Sequence, residues 1–303
     1  MTAERELAPG LYLVATPIGN LEDITLRAVR VLKQCDLIAC EDTRQTQKLL
    51  NHFGIEKPTI SYHEHNEASR AAELIEKLAH GARIAVVSDA GMPGVSDPGF
   101  RIVSLAIENS IAIVPIPGPA AFVSALVASG LPIESFAFRG FLPPKSGARK
   151  RVLERIKESL QTQVFYEAPH RIRETLEDLV ATLGPTRHVV IARELTKVHE
   201  EFLRGTAAEL VAILNGRGEV KGEIVLLIGP ASEAEAPTAA TSIRDRVAQL
   251  MREEKLDEKA ALKKVAKERS ISKSEVYREW QATKAGSSTA RPIRSADRNA
   301  RWE

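Results

Sequence analysis

The chain has only two cysteines, Cys35 and Cys40, in 303 residues. That is too few for a disulfide scaffold, and their spacing suits neither a paired zinc site nor a C-x-x-C redox pair, so both are expected reduced and buried. Long apolar runs are missing as well. No stretch approaches the roughly 20 residues needed to span a bilayer, and the start, MTAERELAPG, has no apolar signal core. A cytoplasmic protein with no membrane segment is expected. Aromatic residues are scarce, at 5%, so a nucleic-acid partner would be read by shape and phosphate rather than by extensive stacking. Charge of either sign is hardly in excess, at +2.

That near-balance hides an asymmetry. Residues 242–303 carry sixteen Lys or Arg against ten Asp or Glu, a net +6, which leaves −4 for residues 1–241. Such a basic end can hold an acidic partner beside a body that is not itself basic, although a solubilising tail has the same composition. From Leu11 onward, short apolar runs (LYLVAT, LIACE, TISYH, RIAVVSDA, IAIVPIP, SFAFRGF, QVFYEA, RHVVIARE, GEIVLLIG) alternate with amphipathic segments such as LRAVRVLKQ and EASRAAELIEKLA. The alternation predicts an α/β protein with parallel sheets wrapped by helices, and about ten strands predict two domains, residues 10–117 and 118–230. IAVVS and IAIVPI are apolar on both faces, as central parallel strands are. Residues 231–241 read as a linker. Across residues 242–283, helical patterns place Val247, Leu250, Leu262, Val265, Ala266 and Val276 at helical spacing, with Ser272 as an N-cap, which predicts a helix-turn-helix-like module. Residues 284–303 lack a core-forming pattern and read as a disordered basic tail.

The most informative segment is SDAGMPGVSDPG, residues 88–99, directly after the run RIAVV. Its glycines and prolines suit a tight loop that a ligand can approach closely, at a strand's C-terminal end, where open α/β sheets bind ligands. Asp89 there can accept hydrogen bonds from hydroxyls or an ammonium group; the plainer reading is a turn whose aspartates cap a helix. Two more strand ends, VATPIGNLEDIT and PIPGPAA, offer small residues with room for a flat base and a thioether chain. There is no Walker lysine and no G-x-G-x-x-G before a helix, so a triphosphate is disfavoured. S-adenosylmethionine, a phosphate-free sulfonium, suits the loop better.

ATPIGNLEDIT, CEDTR, SDAGMPGVSDPG, PGPAA, FYEAPHR and GEIVLLIG, in this order and spacing, resemble the ribosomal RNA small subunit methyltransferase I family over about residues 10–230. The resemblance implies the two-domain tetrapyrrole-methylase fold (class III methyltransferase), with S-adenosylmethionine as cofactor in a cleft between two α/β domains. It also implies a homodimer, and methylation of the 2′-hydroxyl of cytidine 1402 of 16S rRNA in the small ribosomal subunit. The expected cofactor contacts are Pro17, Ser88, Asp89, Gly91, Met92, Gly94, Ala120, Ala121 and Tyr166. TPIGN stands where small-molecule methylases of this fold often have G-x-G-x-G-D, a departure that favours the RNA-modifying branch.

Methyl transfer to a ribose hydroxyl needs in-line alignment and help in removing the proton, for which a carboxylate is the simplest base. Glu41 and Asp42 follow LIAC, and paired carboxylates can raise the pKa of one member; alternatively, Asp42 or Thr43 simply caps the following helix. Arg44 can pair with a carboxylate or meet an RNA phosphate. LPPKSGARKRVLERIK, residues 142–157, carries six basic residues, and Lys145, Arg149, Lys150 and Arg151 are expected to hold RNA, together with His170 and Arg171 of FYEAPHR. A solvated helix face is the plainer reading of that segment. His63 and His65 in SYHEHNE lack further ligands at a recognised spacing, so no metal is expected. Two other functions compete: a small-molecule methylase acting on a tetrapyrrole-type ring, which would need neither the basic segment nor the helical appendage, and a non-catalytic ribosome-assembly protein, which would need neither the loop glycines nor the carboxylate pair. A hydrolase would need a G-x-S-x-G elbow, which is absent.

Overall fold

The computed structural model describes residues 6–231 and, in the C-terminal part, residues 247, 250–252, 256–268, 272, 276–278 and 280. The chain divides into two units after Ala231.

The first unit holds two sheets. β1 (Gly10–Val14), β2 (Leu37–Cys40), β3 (Thr59–Ser61), β4 (Arg83–Val87) and β5 (Ile113–Ile116) form a parallel sheet in the order β3-β2-β4-β1-β5. Between them run α1 (Leu26–Gln34), α2 (Thr43–His52), α3 (Glu67–Ala79) and α4 (Phe100–Glu108). One core joins α1 and α2 to the sheet through Val31, Leu32, Ile38 and Leu50; the other joins α3 and α4 through Leu74, Ile84 and Ile102. α1 and α2 start where a side chain satisfies a free N–H group: Thr25 Oγ1 accepts from Ala28 N at 3.1 Å, and Asp42 Oδ1 accepts from Arg44 N at 2.8 Å. At α4 the acceptor comes from a different helix, since Glu67 Oε1 of α3 lies 3.3 Å from Gly99 N.

The second sheet follows α5 (Ala121–Ser129). It consists of β6 (Phe136–Phe141), β7 (Thr162–Glu167), β8 (His188–Arg193), β9 (Glu201–Thr206) and β10 (Ile224–Ile228), in the order β6-β7-β10-β8-β9. α6 (Ser146–Ile156), α7 (Ile172–Leu183) and α8 (Ala207–Asn215) pack on one face; Ala125 and Leu126 of α5, with Ile18 from the first half, pack on the other.

Three sequence expectations change here. The second sheet is mixed, because β10 runs antiparallel to both β7 and β8; burial on both faces makes IVLLI uniformly apolar, and that pattern carries no strand direction. β9, with sequence EFLRGT, went unread because it is a half-buried edge strand carrying Glu201 and Arg204. IAIVPI is an edge strand and not a central one, consistent with Pro115, which has no N–H to donate to a further neighbour.

In the C-terminal unit, α9 (Glu258–Glu268) begins after Asp257, whose Oδ1 accepts from Ala260 N at 2.7 Å. Val247, Leu250, Ala261, Val265, Ala266, Val276 and Trp280 form a small buried cluster, and Leu256 and Leu262 pack against it. Val276 N donates to Ser272 O at 3.2 Å, a helical step. The linker at 232–241 and the tail at 284–303 lie outside the described residues. Among the described residues no helix is long and apolar enough to cross a membrane.

Candidate active site

Because the first sheet is parallel, β1, β2, β4 and β5 deliver their following loops to one edge. The loops after β1 and β4 are joined by a two-way backbone bridge, Thr16 N to Gly91 O at 2.9 Å and Gly91 N to Thr16 O at 3.0 Å. The buried Ser88 hydroxyl donates to Gly91 O at 3.1 Å, and Thr16 Oγ1 donates to Ser88 O at 3.0 Å. A left-handed φ of +82° at Gly91 makes this turn possible. The loop after β5 closes tightly on the same place: a Cβ on Gly118 would lie 2.8 Å from Ala15 Cβ.

These loops and the second sheet enclose a cavity of about 390 Å³. Ala90, Gly91, Met92, Asp97, Ala120 and Ala121 face it from the first half, and Phe141, Tyr166, Leu195 and Glu223 from the second. Phe122 stacks on Phe138 at 4.4 Å, and Tyr166 meets Phe138 at 5.0 Å and Phe141 at 5.5 Å, which fixes an aromatic wall. Burial raises the Tyr166 phenol above its ordinary pKa. Among the described residues, no lysine or arginine lines the cavity. A cavity with small and aromatic walls, with carboxylates and without cations, suits a flat, cationic, phosphate-free ligand.

Five of the expected cofactor residues, Gly91, Met92, Ala120, Ala121 and Tyr166, line the cavity; Pro17, Ser88, Asp89 and Gly94 do not. Ser88 acts inside the loop, and Asp89 Oδ1 accepts from Asp42 N at 3.1 Å, linking the β2 and β4 loops. Asp97, not singled out in the sequence, does line the cavity. Burial, reinforced by the negative charge of Glu41, pushes it up to about 6. The only sequence signal was a second Ser-Asp pair, at 96–97, echoing that at 88–89. Glu41 is raised as well, first by burial and then by Asp89.

Asp42 has a different position. It caps α2, and its Oδ2 accepts from Arg44 Nη2 at 3.0 Å, hydrogen bonds that hold it below the usual carboxylate range. A carboxylate stabilised in this way is a weaker proton acceptor than one raised like Glu41. The Arg44 side chain, 88% exposed, remains open to a phosphate.

The basic segment separates by helix face. Lys145, Lys150 and Arg151 are exposed, as is His170 in the short 3-10 turn Pro169–Arg171. Arg149 is only 1% exposed: Nη2 lies 2.6 Å and Nε 2.7 Å from Asp178 Oδ2. Burial works against the Asp178 charge, but hydrogen bonds from Ser146, Arg149 and Lys150 outweigh it and keep that carboxyl below its usual range. Arg171 is bound to buried Glu167 and donates to Leu142 O at 3.1 Å. Arg149 and Arg171 are therefore corrected to structural roles, since both guanidinium groups are held inside. Among the described residues, no cluster of three potential ligands could hold a metal ion.

Comparison with known proteins agrees with this architecture. The family model for tetrapyrrole (corrin/porphyrin) methylases matches residues 10–211. A protein of Halalkalibacterium halodurans named ribosomal RNA small subunit methyltransferase I is 49% identical over 275 residues, 88% of this chain and 93% of that one. A Synechocystis protein of the same name is 46% identical over 268 residues, 88% of this chain and 95% of that one. The crystal structure of diphthine synthase superposes with a TM-score of 0.56 at 14% identity, covering 73% of this chain and 90% of that one. A uroporphyrin III C-methyltransferase from Thermus thermophilus superposes with a TM-score of 0.51 at 20% identity, covering 72% and 96%. At these identities the two structures speak to fold alone.

Proposed function

This chain belongs to the tetrapyrrole methylases and, among them, to the ribosomal RNA small subunit methyltransferase I family of S-adenosylmethionine-dependent enzymes; from that premise we propose that it methylates the 2′-hydroxyl of cytidine 1402 of 16S rRNA in the small ribosomal subunit. The observation that carries the reading of the site is the cation-free, aromatic-walled cavity bearing Asp97. A ligand with a sulfonium, a ribose diol and a purine matches such walls, whereas the cations that a phosphorylated cofactor would draw on do not line them among the described residues.

Gly91, Met92, Ala120, Ala121 and Tyr166 would hold S-adenosylmethionine, which when bound supplies an electrophilic methyl group. Asp97 favours positive charge inside the cavity. Glu41 takes the proton of the acceptor hydroxyl, and its raised pKa makes it a stronger base than an ordinary carboxylate. Arg44, Lys145, Lys150, Arg151 and His170 meet rRNA phosphates, which makes binding salt-dependent. The enzyme works as a homodimer in the cytoplasm. α5 supports the pairing, because it is apolar nearly all round yet leaves Val127 66% exposed, with Val123, Ile133 and Phe136 also open. The basic segment favours this reading over a small-molecule methylase.

The test is transfer of labelled methyl to small ribosomal subunits lacking this modification, with the product nucleotide mapped. Label on the ribose of one cytidine, at 1402, supports the proposal. Transfer to a base, to another position, or to no RNA at all overturns it.

A further inference from the structure

His63 and His65 in SYHEHNE have no role in the reading above, yet the fold brings His63 to the candidate base. β2 and β3 pair in parallel with Cys40 opposite Ser61, and Tyr62 N donates to Cys40 O at 2.7 Å. Glu41 directly follows β2 and His63 lies two residues past the end of β3, so both leave the ligand edge of the sheet in the loops after neighbouring parallel strands.

The state of the His63 ring follows from its neighbour. Asn66 Oδ1 accepts from His63 N at 2.9 Å, which orients the amide so that Nδ2 donates to Ser61 O at 3.1 Å. The same Nδ2 lies 3.3 Å from His63 Nε2. An amide nitrogen only donates, so Nε2 must accept, and the hydrogen of the neutral ring sits on Nδ1. That Nδ1 is buried and, among the described residues, has no hydrogen-bond partner. A buried donor without a partner is uncommon enough to require a reason.

Glu41 is the group nearby that lacks support. Asp42 on its own loop, and Asp89 and Asp97 from the loop after β4, all face it with negative charge; His63, with His65 beyond it at 6.0 Å between rings, faces it from the β3 loop. Among these groups, the Nδ1–H of His63 is the hydrogen-bond donor that would favour the ionised carboxylate.

We propose that His63 is a positioning residue whose Nδ1–H donates to the Glu41 carboxylate in the working complex, holding it oriented and ionised to take the acceptor hydroxyl's proton. This rests on the reading of Glu41 as proton acceptor. The hydroxyl O–H bond breaks, the proton passes to a Glu41 carboxylate oxygen, and the electron pair stays on the hydroxyl oxygen. His63 exchanges no proton in the step.

The experiment follows methyl transfer by the full chain to small ribosomal subunits across pH, for wild type, His63→Gln, His63→Asn and Glu41→Gln, with thermal unfolding of each as a check on folding. Without the His63 donor, Glu41 holds its proton to higher pH. For His63→Gln the acidic limb of kcat therefore moves upward, with a loss on the order of ten-fold near pH 6 and little loss near pH 8.5, at unchanged KM for the cofactor. His63→Asn, whose amide N–H can stand where Nδ1–H stood, restores most of the activity. An inactive Glu41→Gln with a His63→Gln limb coincident with wild type overturns the role of His63. So does a raised KM for the ribosomal subunit with an unmoved limb, which would assign the donor to the RNA. A fully active Glu41→Gln instead overturns the reading of Glu41.

Discussion

Removing the Asp178 carboxylate would leave Arg149 charged, 1% exposed and without its main partner, since Pro144 O at 3.3 Å and the exposed Glu174 at 3.7 Å cannot replace contacts of 2.6 and 2.7 Å. Breaking a buried pair from one side costs about 3–5 kcal/mol, because the remaining ion keeps its desolvation penalty. At roughly 2–4 °C per kcal/mol for a unit of this size, Asp178→Ala should unfold about 6–20 °C lower than wild type. Replacing both partners with apolar residues, Arg149→Met with Asp178→Leu, should recover most of that loss. Thermal unfolding and binding to small ribosomal subunits, measured on the same preparations, check this. If Arg149→Met left the unfolding temperature unchanged and weakened RNA binding, the structural assignment of Arg149 would be wrong.

Each of Lys145→Ala and Arg151→Ala should flatten the dependence of log binding constant on log salt by about 0.7–0.9, with unfolding unaffected, as measured by subunit binding at several ionic strengths. The Asp97 value near 6 lies above the ordinary 3.8, so its charge destabilises the folded state fully above about pH 6, and this is relieved progressively as pH falls from about 6 to 3.8. Asp97→Asn should therefore raise the unfolding temperature around pH 8, leave it unchanged in strong acid, and lower methyl transfer at every pH. In Gly118→Ala the new methyl would meet Ala15 Cβ at 2.8 Å, so the loops must part; about 1–3 kcal/mol of stability and some cofactor affinity should be lost, as read by unfolding and titration.

Much of the fold could be read from the sequence, because buried central strands such as RIAVV and IVLLI leave uniform apolar runs. Strand direction could not, since a strand buried on both faces looks the same either way. Pro115 already carried the signal that β5 is an edge strand. At the site, Gly91, Met92, Ala120, Ala121 and Tyr166 could be found because each ends or follows a strand. Asp97 was hidden because SDPG also describes an ordinary helix start. Arg149 was misread as one of a row of cations, yet it shares a helical stripe with Leu153 and Ile156, both buried. Its spacing, and not its charge, described its surroundings. Asp42 likewise had the commonest capping position open to it, just before α2.

The most direct test of the cavity as the place of methyl transfer is Ala121→Trp, measured for S-adenosylmethionine binding and for methyl transfer to small ribosomal subunits on one folded preparation. Ala121 lines the cavity, and an indole there would fill much of its volume. The expected result is an unfolding temperature near that of wild type with binding and transfer both lost. Transfer at the wild-type rate by a folded Ala121→Trp protein would place the chemistry elsewhere in the molecule.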